Sequence, residues 1–555
     1  MPEPPIEISV CFLWMQIERG IMNSKSVTVA AVLLVLFCPS VPGYLLAQKA
    51  AQSRPEVVYD SYHDTSLPAR EYSMAVPQGR VPREVEHPRP RRILSGAAVP
   101  VTDLAEQNYV APPVAATIGL NMEGIPNSAN GKALEGIPSD DNLAVGATQV
   151  VETINTAWEV YDKATGKSVF GPQQISALFT GVPGLCGQGQ TFFWTDPVVL
   201  YDQMANRWII SQIAADSSFG TGNECIAVSE TSDAAGKYHR YIFKFGNNIL
   251  NDYDKLSVWP DAYYANYNLF GPNSFIADDA CAYDRAAMLT GAKAKAVCFK
   301  SPNEFSFLPS NADGATPPPA GQPSFFVDLF SSTALHLYRF HVDFANPAKS
   351  KFTGPITIPV KAYTMACGGG TCIPQPGTKQ QLDSLGDRLM FRLAYRNLGD
   401  HESLLVSHSV LTSKAASGER WYEIRDPNGT PKVYQQGTFT HGGNSLWMGS
   451  LDMDKEGDIA LGYSESNAGT LHPSVAFTGR VPSDPLNTME SPATIFIAKG
   501  SATDENRWGD YSSMVIDPVD DCTFWYINQY IPKTGPKNSI TFHTRVASLK
   551  FPTCQ

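Results

Sequence analysis

From about residue 112 onward, short runs rich in Val, Ile, Tyr, Phe and Trp alternate with clusters of Gly, Pro, Asn and Asp. β-Branched and aromatic residues suit a pleated, half-buried surface, and the residues between them suit tight turns. Residues 198–201, 208–211, 335–341 and 523–527 are such runs. No stretch of fifteen residues carries an amphipathic helical period. The pattern predicts an all-β fold.

The runs also repeat. Strands that open a four-strand unit are expected near Val145, Val199, Val258, Val327, Met390, Ser450 and Ser512, 54 to 69 residues apart. A compact propeller blade takes about 40–50 residues, so a longer period implies inserted loops. Seven units predict a single β-propeller of seven blades over residues 112–555. Six or eight blades also fit the spacing. Radial stacking buries both faces of each sheet and leaves few exposed edges. The last unit, from Arg507, shows about three strands, and residues 115–120 supply the fourth. Both ends of the domain then meet in one blade.

The chain before residue 112 reads differently. Residues 27–37 form an uncharged apolar run after Lys25, with Pro39 and Gly43 beyond it. This is the layout of a secretory signal, and the run is shorter than the roughly 20 residues that cross a bilayer. Residues 1–47 are therefore expected to be a signal region, cleaved after Gly43 or Ala47. Glu3, Glu7 and Glu18 do not suit such a segment, which places the expected translation start at Met22. Residues 48–111 contain seven prolines and a basic stretch around Arg80–Arg92. They are expected to form a Pro-rich flexible linker, solvated and without a core.

Export changes the meaning of the ten cysteines. Cys11 and Cys38 leave with the signal region, and eight remain. An even count in an exported chain points to disulfides, although eight cysteines allow 105 pairings. Order along the chain favours neighbours: Cys186 with Cys225, Cys281 with Cys298, Cys367 with Cys372 and Cys522 with Cys554. Three glycines and a threonine separate Cys367 from Cys372, so that pair lacks the two-residue gap of a redox motif. No second pair stands at zinc-ligand spacing.

Composition narrows the class further. Charged residues make up 17% and aromatics 11%, the reverse of a disordered or coiled-coil chain. The net charge of −12 excludes the basic face that a nucleic-acid binder needs.

Several motifs stand out. Asp196-Pro-Val-Val-Leu-Tyr-Asp202 is followed by Asn206-Arg-Trp208, which reads as strand, turn, strand. Gly442-Gly-Asn-Ser-Leu-Trp-Met-Gly449 leads into Ser450-Leu-Asp-Met-Asp-Lys-Glu-Gly457, and Arg507-Trp-Gly-Asp-Tyr-Ser-Ser513 leads into another strand. Together with Trp158-Glu-Val-Tyr-Asp-Lys163, Ser384-Leu-Gly-Asp-Arg-Leu-Met390 and Tyr395-Arg-Asn-Leu-Gly-Asp-His-Glu402, these stretches resemble an uncharacterised family of exported bacterial proteins with sialidase-like (BNR-type) β-propeller repeats. The resemblance covers residues 112 to 554 and implies a fold without a settled reaction. Ser450-Leu-Asp452 begins like an Asp-box, but its glycine comes late, at Gly457, and no Arg-Ile-Pro segment precedes the repeats. The resemblance is therefore one of shape.

Asp452 to Gly457 also imitates the front of a calcium loop. The bidentate Glu required at position twelve is replaced by Tyr463, so a hairpin is expected and no metal. Arg388, Arg392 and Arg396 share one strand face, spread too far apart to hold one small ligand, and are expected to brace blades. His401 and His408 lack a third ligand nearby.

Charges at the openings of inner strands can converge on the axis. These are Asp140, Asp141, Asp196, Lys255, Asp387, Arg388, Arg507 and Asp510. Arginine there can grip a carboxylate or phosphate in two-pronged fashion, and paired carboxylates can act as acid and base on a glycoside. The same residues can instead cross-brace loops. Trp194, Trp259 and Trp447 are expected on exposed loops, where they would stack on sugars. The leading expectation is a secreted, non-enzymatic propeller that binds a glycan or cell-surface protein at its top face through Asp196, Lys255, Asp387, Arg388, Trp447, Arg507 and Asp510. The alternatives are a glycan-processing hydrolase or lyase and a structural surface protein. No cofactor, nucleic acid or stable membrane insertion is expected.

Overall fold

The sheets follow one another along the chain in the computed structural model, which describes residues 54–72, 101–129, 132–133, 137–187, 193–216, 218, 220–535 and 541–555. The expected signal region, the Met22 start and residues 73–100 of the expected linker lie outside the described residues. All the described residues belong to one unit, Ala51–Gln555.

Sheet I runs through Asn142–Val145, Gln149–Ile154, Ala157–Asp162 and Ser168–Gln174. Sheet II runs through Phe193–Asp202, Arg207–Ala215, Gly222–Ser229 and Tyr238–Lys244. Sheet III takes Leu250–Val258, Tyr263–Phe270, Phe275–Tyr283 and Lys295–Ser301. Sheet IV takes Leu308–Asp313, Ser324–Ser331, Ala334–His341 and Lys351–Pro359, and sheet V Met390–Asn397, Glu402–Leu411, Ser417–Arg425 and Lys432–Phe439. Sheet VI is Ser445–Met453, Ile459–Ser466, Ser474–Arg480 and Ala493–Phe496. Sheet VII joins Ser513–Ile516, Thr523–Tyr530 and His543–Lys550 to Thr117–Pro126 from far upstream. Neighbouring strands within each sheet are antiparallel. The first strands of IV and V pair in parallel, Ser310 opposite Leu393 and Asp313 opposite Arg396, which fuses those two sheets at the axis.

The array is propeller-like. Each opening strand touches the opening strand of the next sheet, and that of sheet VII touches that of sheet I. The core is divided in the same way, into apolar clusters between neighbouring sheets. Trp158 and Val160 meet Ile210 and Ala227 between I and II. Leu143 and Val150 meet Val515, Trp525 and Val546 between VII and I. Because both faces of a sheet pack on neighbours, strands such as Gly222–Ser229 and Ser474–Arg480 are buried at every position. This explains why their sequences do not alternate strictly.

The closing strand is where the sequence placed it. Thr117 pairs with Lys550 and Met122 with Val546, and the Cys522–Cys554 disulfide lies in the same sheet. The other three disulfides also join the expected neighbours, Cys186–Cys225, Cys281–Cys298 and Cys367–Cys372.

Two expectations need correction. Val327 lies in the second strand of sheet IV, and the opening strand is Leu308–Asp313. That strand reads Leu-Pro-Ser-Asn-Ala-Asp, which shows no strand-like pattern because parallel pairing with sheet V, rather than local propensity, fixes it. The flexible linker expected over 48–111 is also ordered in part. Glu56–Tyr59 pairs with the outer strand of sheet III and Tyr62–Thr65 with that of sheet II. Farther on, Glu106 bridges to Thr438 and Pro113 to Ser491. Outer strands of a radial array leave a row of unpaired N–H and C=O groups, and these segments cover them. Four-residue strands are too short to show their period in sequence.

Candidate functional site

Inner strands begin at one face of the array, here called upper, and end at the lower face. At or shortly before each inner strand one residue takes the left-handed conformation: Asp140, Asp196, Tyr253, Ser306, Leu385, Met448 and Asp510, with φ between 43° and 61°. In sheets II, III and VI this residue sits in a bulge, between Thr195 and Val198, Asp252 and Lys255, and Trp447 and Ser450. Left-handed backbone costs an L-residue about 1–2 kcal/mol.

A plug of charges and aromatic rings forms there. The Lys255 Nζ lies 3.7 Å from the centre of the Tyr253 ring and 4.1 Å from that of Tyr511. Arg388 also approaches the Tyr253 ring, at 4.7 Å, and Phe305 at 5.2 Å. Desolvated contacts of this kind are each worth about 2 kcal/mol. Asp196 stands 3.9 Å from Lys255 and accepts from Thr195 Oγ1 at 2.7 Å. Arg388 Nε donates to Asp387 at 2.8 Å, and Arg507 Nε donates to Asp510 at 3.0 Å. Ser139 Oγ donates to Asp141 at 2.6 Å.

Burial dominates the electrostatics. It pushes Asp196 up to about 6 against the opposing pull of Lys255. It raises Asp141 to about 8, with the Ser139 hydroxyl acting the other way. Glu224 and Asp254, beside one another between sheets II and III, are raised well above the carboxylate range by burial first, with repulsion from Asp254 adding at Glu224 and repulsion from Asp196 adding at Asp254 against the pull of Lys255.

The structure thus brings Asp196, Lys255, Asp387, Arg388, Arg507 and Asp510 to the same end of the axis, where all are buried and ion-paired. Trp447 is elsewhere than expected. Its ring is fully buried against Trp508, 5.8 Å between centroids. Trp194 and Trp259 are buried too, at 7% and 1% exposure. These three tryptophans pack into the apolar interior, so loop-like flanking sequence did not predict exposure. The three-arginine strand links sheets: Arg392 bonds Asp313 of sheet IV and Asp452 of sheet VI, and Arg396 bonds Asp521 of sheet VII. Residues 454–458 form the expected hairpin turn, with Met453 opposite Ile459. Asp279 approaches Cys281 and Cys298, but both sulfurs are committed to their disulfide.

Beside the plug the upper face holds a pocket between sheets VI, VII and I. Ile137, Trp508, Ile531 and Phe542 form its apolar wall, with Ser139, Glu505, Arg507 and Gln529 among them. Gln529 Oε1 is buried and has no hydrogen-bond partner among the described residues. Trp508 Nε1 is held by Ser464 Oγ at 3.0 Å, which fixes the ring. Of these, only Arg507 was singled out in sequence. Tyr253 and Gln529 sit in plain strand sequence and Tyr511 just before a strand; in the structure Tyr253 itself takes the left-handed conformation, and Tyr511 follows the left-handed Asp510.

No protein-family model matches the chain, and no curated protein does. Among solved structures, the WD40 domain of SCAP from fission yeast aligns at 8% identity and a TM-score of 0.31, over 73% of this chain and 82% of that one. The N-terminal domain of Nup159 aligns at 8% and 0.36, over 81% and 100%. An exo-β-1,3-galactanase from Phanerochaete chrysosporium aligns at 9% and 0.29, over 79% and 96%. The four disulfides fit an oxidising, extracytoplasmic compartment. No helix among the described residues is long and apolar enough to cross a membrane.

Proposed function

We propose that this chain is a secreted seven-bladed β-propeller, of the sialidase-like exported kind its motifs resemble, that binds a glycan without processing it. The site is the upper-face pocket between sheets VI, VII and I. One observation carries this reading: an apolar wall containing Trp508 and Phe542 converges with Ser139, Glu505, Arg507 and the unpartnered acceptor of Gln529. A sugar presents a C–H face to such a wall and hydroxyls to such polar groups. The non-enzymatic part rests on the plug. A glycosidase must place two carboxyl groups on either side of a reachable bond. Here Asp196, Asp387 and Asp510 are enclosed and engaged by Thr195, Arg388 and Arg507.

The test is binding of the secreted chain to a glycan array, followed by titration with the best oligosaccharide. Gln529→Ala should weaken binding at least ten-fold while leaving thermal unfolding nearly unchanged. Absence of binding to every glycan class at millimolar concentration would remove the proposal. Turnover of fluorogenic glycosides that disappears in Asp196→Ala, Asp387→Ala or Asp510→Ala would replace it with the hydrolase reading.

A further inference from the structure

The lower face carries a second cavity, at the opposite end of the axis from the glycan pocket. It encloses about 260 Å³, several times the roughly 30 Å³ that one water occupies. Met204, from the turn after the first strand of sheet II, is 39% exposed at its mouth. Pro317 and Pro318, from the loop after Leu308–Asp313, and Pro518, from the turn after Ser513–Ile516, complete an apolar collar. A narrower space continues inward between the opening strands, with Val145, Val199 and Ile516 on its apolar walls and Arg392 among them. Ala312, Asp313 and Pro518 border both spaces.

The loop over the mouth is pinned. Gln203 Nε2 donates to Gly314 O at 2.5 Å, and Ala315 N donates to Asp521 at 3.0 Å. Asn397 Nδ2 holds Pro317 O at 2.9 Å. Gly314 has φ +79°, and a Cβ there would lie 2.5 Å from Arg396 Cζ and 2.6 Å from its Nη1, so only glycine lets the loop cross that side chain. The bare backbone of the cavity wall lies directly against the Arg396 guanidinium.

Hydrogen bonding behind the collar is one-sided. Every carboxylate oxygen there already accepts. Asp313 takes Arg392 Nη2 at 2.5 Å and Asn311 Nδ2 at 2.9 Å. Asp452 takes Arg392 Nη1 at 3.3 Å and the Met453 N–H at 2.8 Å. Asp521 takes Arg396 Nη2 at 2.6 Å and the Ala315 N–H at 3.0 Å. The donors are not used up. Arg392 Nε, Arg396 Nε and Arg396 Nη1 are buried without a partner among the described residues, on side chains 3% and 2% exposed. Of the two side chains, Arg392 borders the cavity, and Arg396 lies behind Gly314. A guanidinium has N–H donors and no acceptor, so only an acceptor answers these nitrogens. Charge, by contrast, is already met, because each guanidinium faces a carboxylate. A ligand carboxylate would bring its charge up against Asp313, Asp452 and Asp521, and a ligand ammonium would meet oxygens that already accept. An uncharged acceptor on an apolar body answers both the spare donor and the collar. Water supplies the acceptor alone.

We propose that the lower-face cavity binds a small uncharged carbonyl compound, a ketone or an amide. Its oxygen accepts from Arg392 Nε in the inner space, and its apolar body fills the passage out to Met204, Pro317, Pro318 and Pro518. The proposal is independent of the glycan pocket, whose residues lie at the other face.

The test uses the whole secreted chain and 2-hexanone, with hexanoate and n-hexylamine as the anion and cation of similar length, followed by saturation-transfer NMR and titration. The ketone should bind saturably at millimolar concentration, and the two charged compounds at least ten-fold more weakly. With an isotope label at the carbonyl carbon, the infrared stretch of the bound ketone should fall below its frequency in an apolar solvent. Arg392→Lys keeps a charge facing Asp313 and Asp452 but removes the Nε donor, and should weaken binding at least ten-fold. Because Arg392 also donates to Met514 O, a second variant guards against misfolding. Met204→Asp, at the exposed mouth, removes part of the apolar collar and should weaken binding several-fold with unfolding unchanged. No ketone binding at millimolar concentration, equal binding of hexanoate or hexylammonium, an unshifted carbonyl stretch, or binding untouched by both variants would overturn the proposal.

Discussion

Lys255 of sheet III reaches the ring of Tyr511 in sheet VII, 4.1 Å from its centre, across the axis of the array. The two residues are 256 positions apart and belong to sheets that are not consecutive in the array. Their contact, with Lys255 and Arg388 both against the Tyr253 ring, closes the upper end of the axis.

Removing that cation should be costly. Lys255→Met leaves Asp196 buried without its cation and the Asp254 carbonyl without its donor, and breaking a buried pair typically costs about 3–5 kcal/mol. Tyr511→Phe keeps the ring and should cost well under that. Urea unfolding of the two variants measures the difference. Equal losses would show that the cation itself contributes nothing beyond what the Tyr511 hydroxyl does.

The left-handed residues can be tested at Met448, φ 54° and fully buried. Met448→Leu and Met448→Ile conserve volume, but a β-branched side chain tolerates this backbone poorly. The isoleucine variant should be less stable than the leucine variant by about 1–2 kcal/mol. Denaturant midpoints at constant slope provide the comparison.

The disulfides should rank by the loop each closes. The Cys522–Cys554 bond spans 32 residues and Cys367–Cys372 only 5. Chain entropy predicts a loss of about 3–4 kcal/mol for Cys522→Ala/Cys554→Ala, against about 2 kcal/mol for Cys367→Ala/Cys372→Ala. Thermal melts of both double variants test the order, and a reversal would point to other roles for the short loop.

Stability should also depend on pH in a defined direction. Burial raises Asp141 to about 8, and Glu419, in the interior of sheet V, also to about 8. An aspartate in the unfolded chain titrates near 3.9. Between those values the native state holds the extra proton, so stability is greatest at the acid end and falls as pH rises toward 8. Asp141→Asn should remove one proton's share of that slope, about 1.4 kcal/mol per pH unit, and gain stability at pH 8 relative to the parent. Melting curves from pH 5 to 9 decide it, and parallel curves would sink the assignment.

What the sequence by itself determined is local or ordered along the chain. Strand-and-turn texture announced the β class, a period of about 60 residues marked the repeating unit, and cysteine order named all four disulfides, since each closes a span of 39 residues or fewer. The closing strand was legible because the last unit lacked one. The tertiary structure alone decided what depends on stacking between sheets. Trp194, Trp259 and Trp447 are buried because flat sheets packed face to face need large rings between them, a demand no local pattern records. Leu308–Asp313 is a strand through its parallel partner, and Glu56–Tyr59 through an edge that needed covering. Asp196, Lys255, Asp387, Arg388, Arg507 and Asp510 were named from their places at strand openings. The Asp387–Arg388 and Arg507–Asp510 pairs are local in sequence, whereas the approach of Asp196 to Lys255 and the gathering of these charges around Tyr253 and Tyr511 follow only from closing the array, which brings distant residues together and takes them out of water.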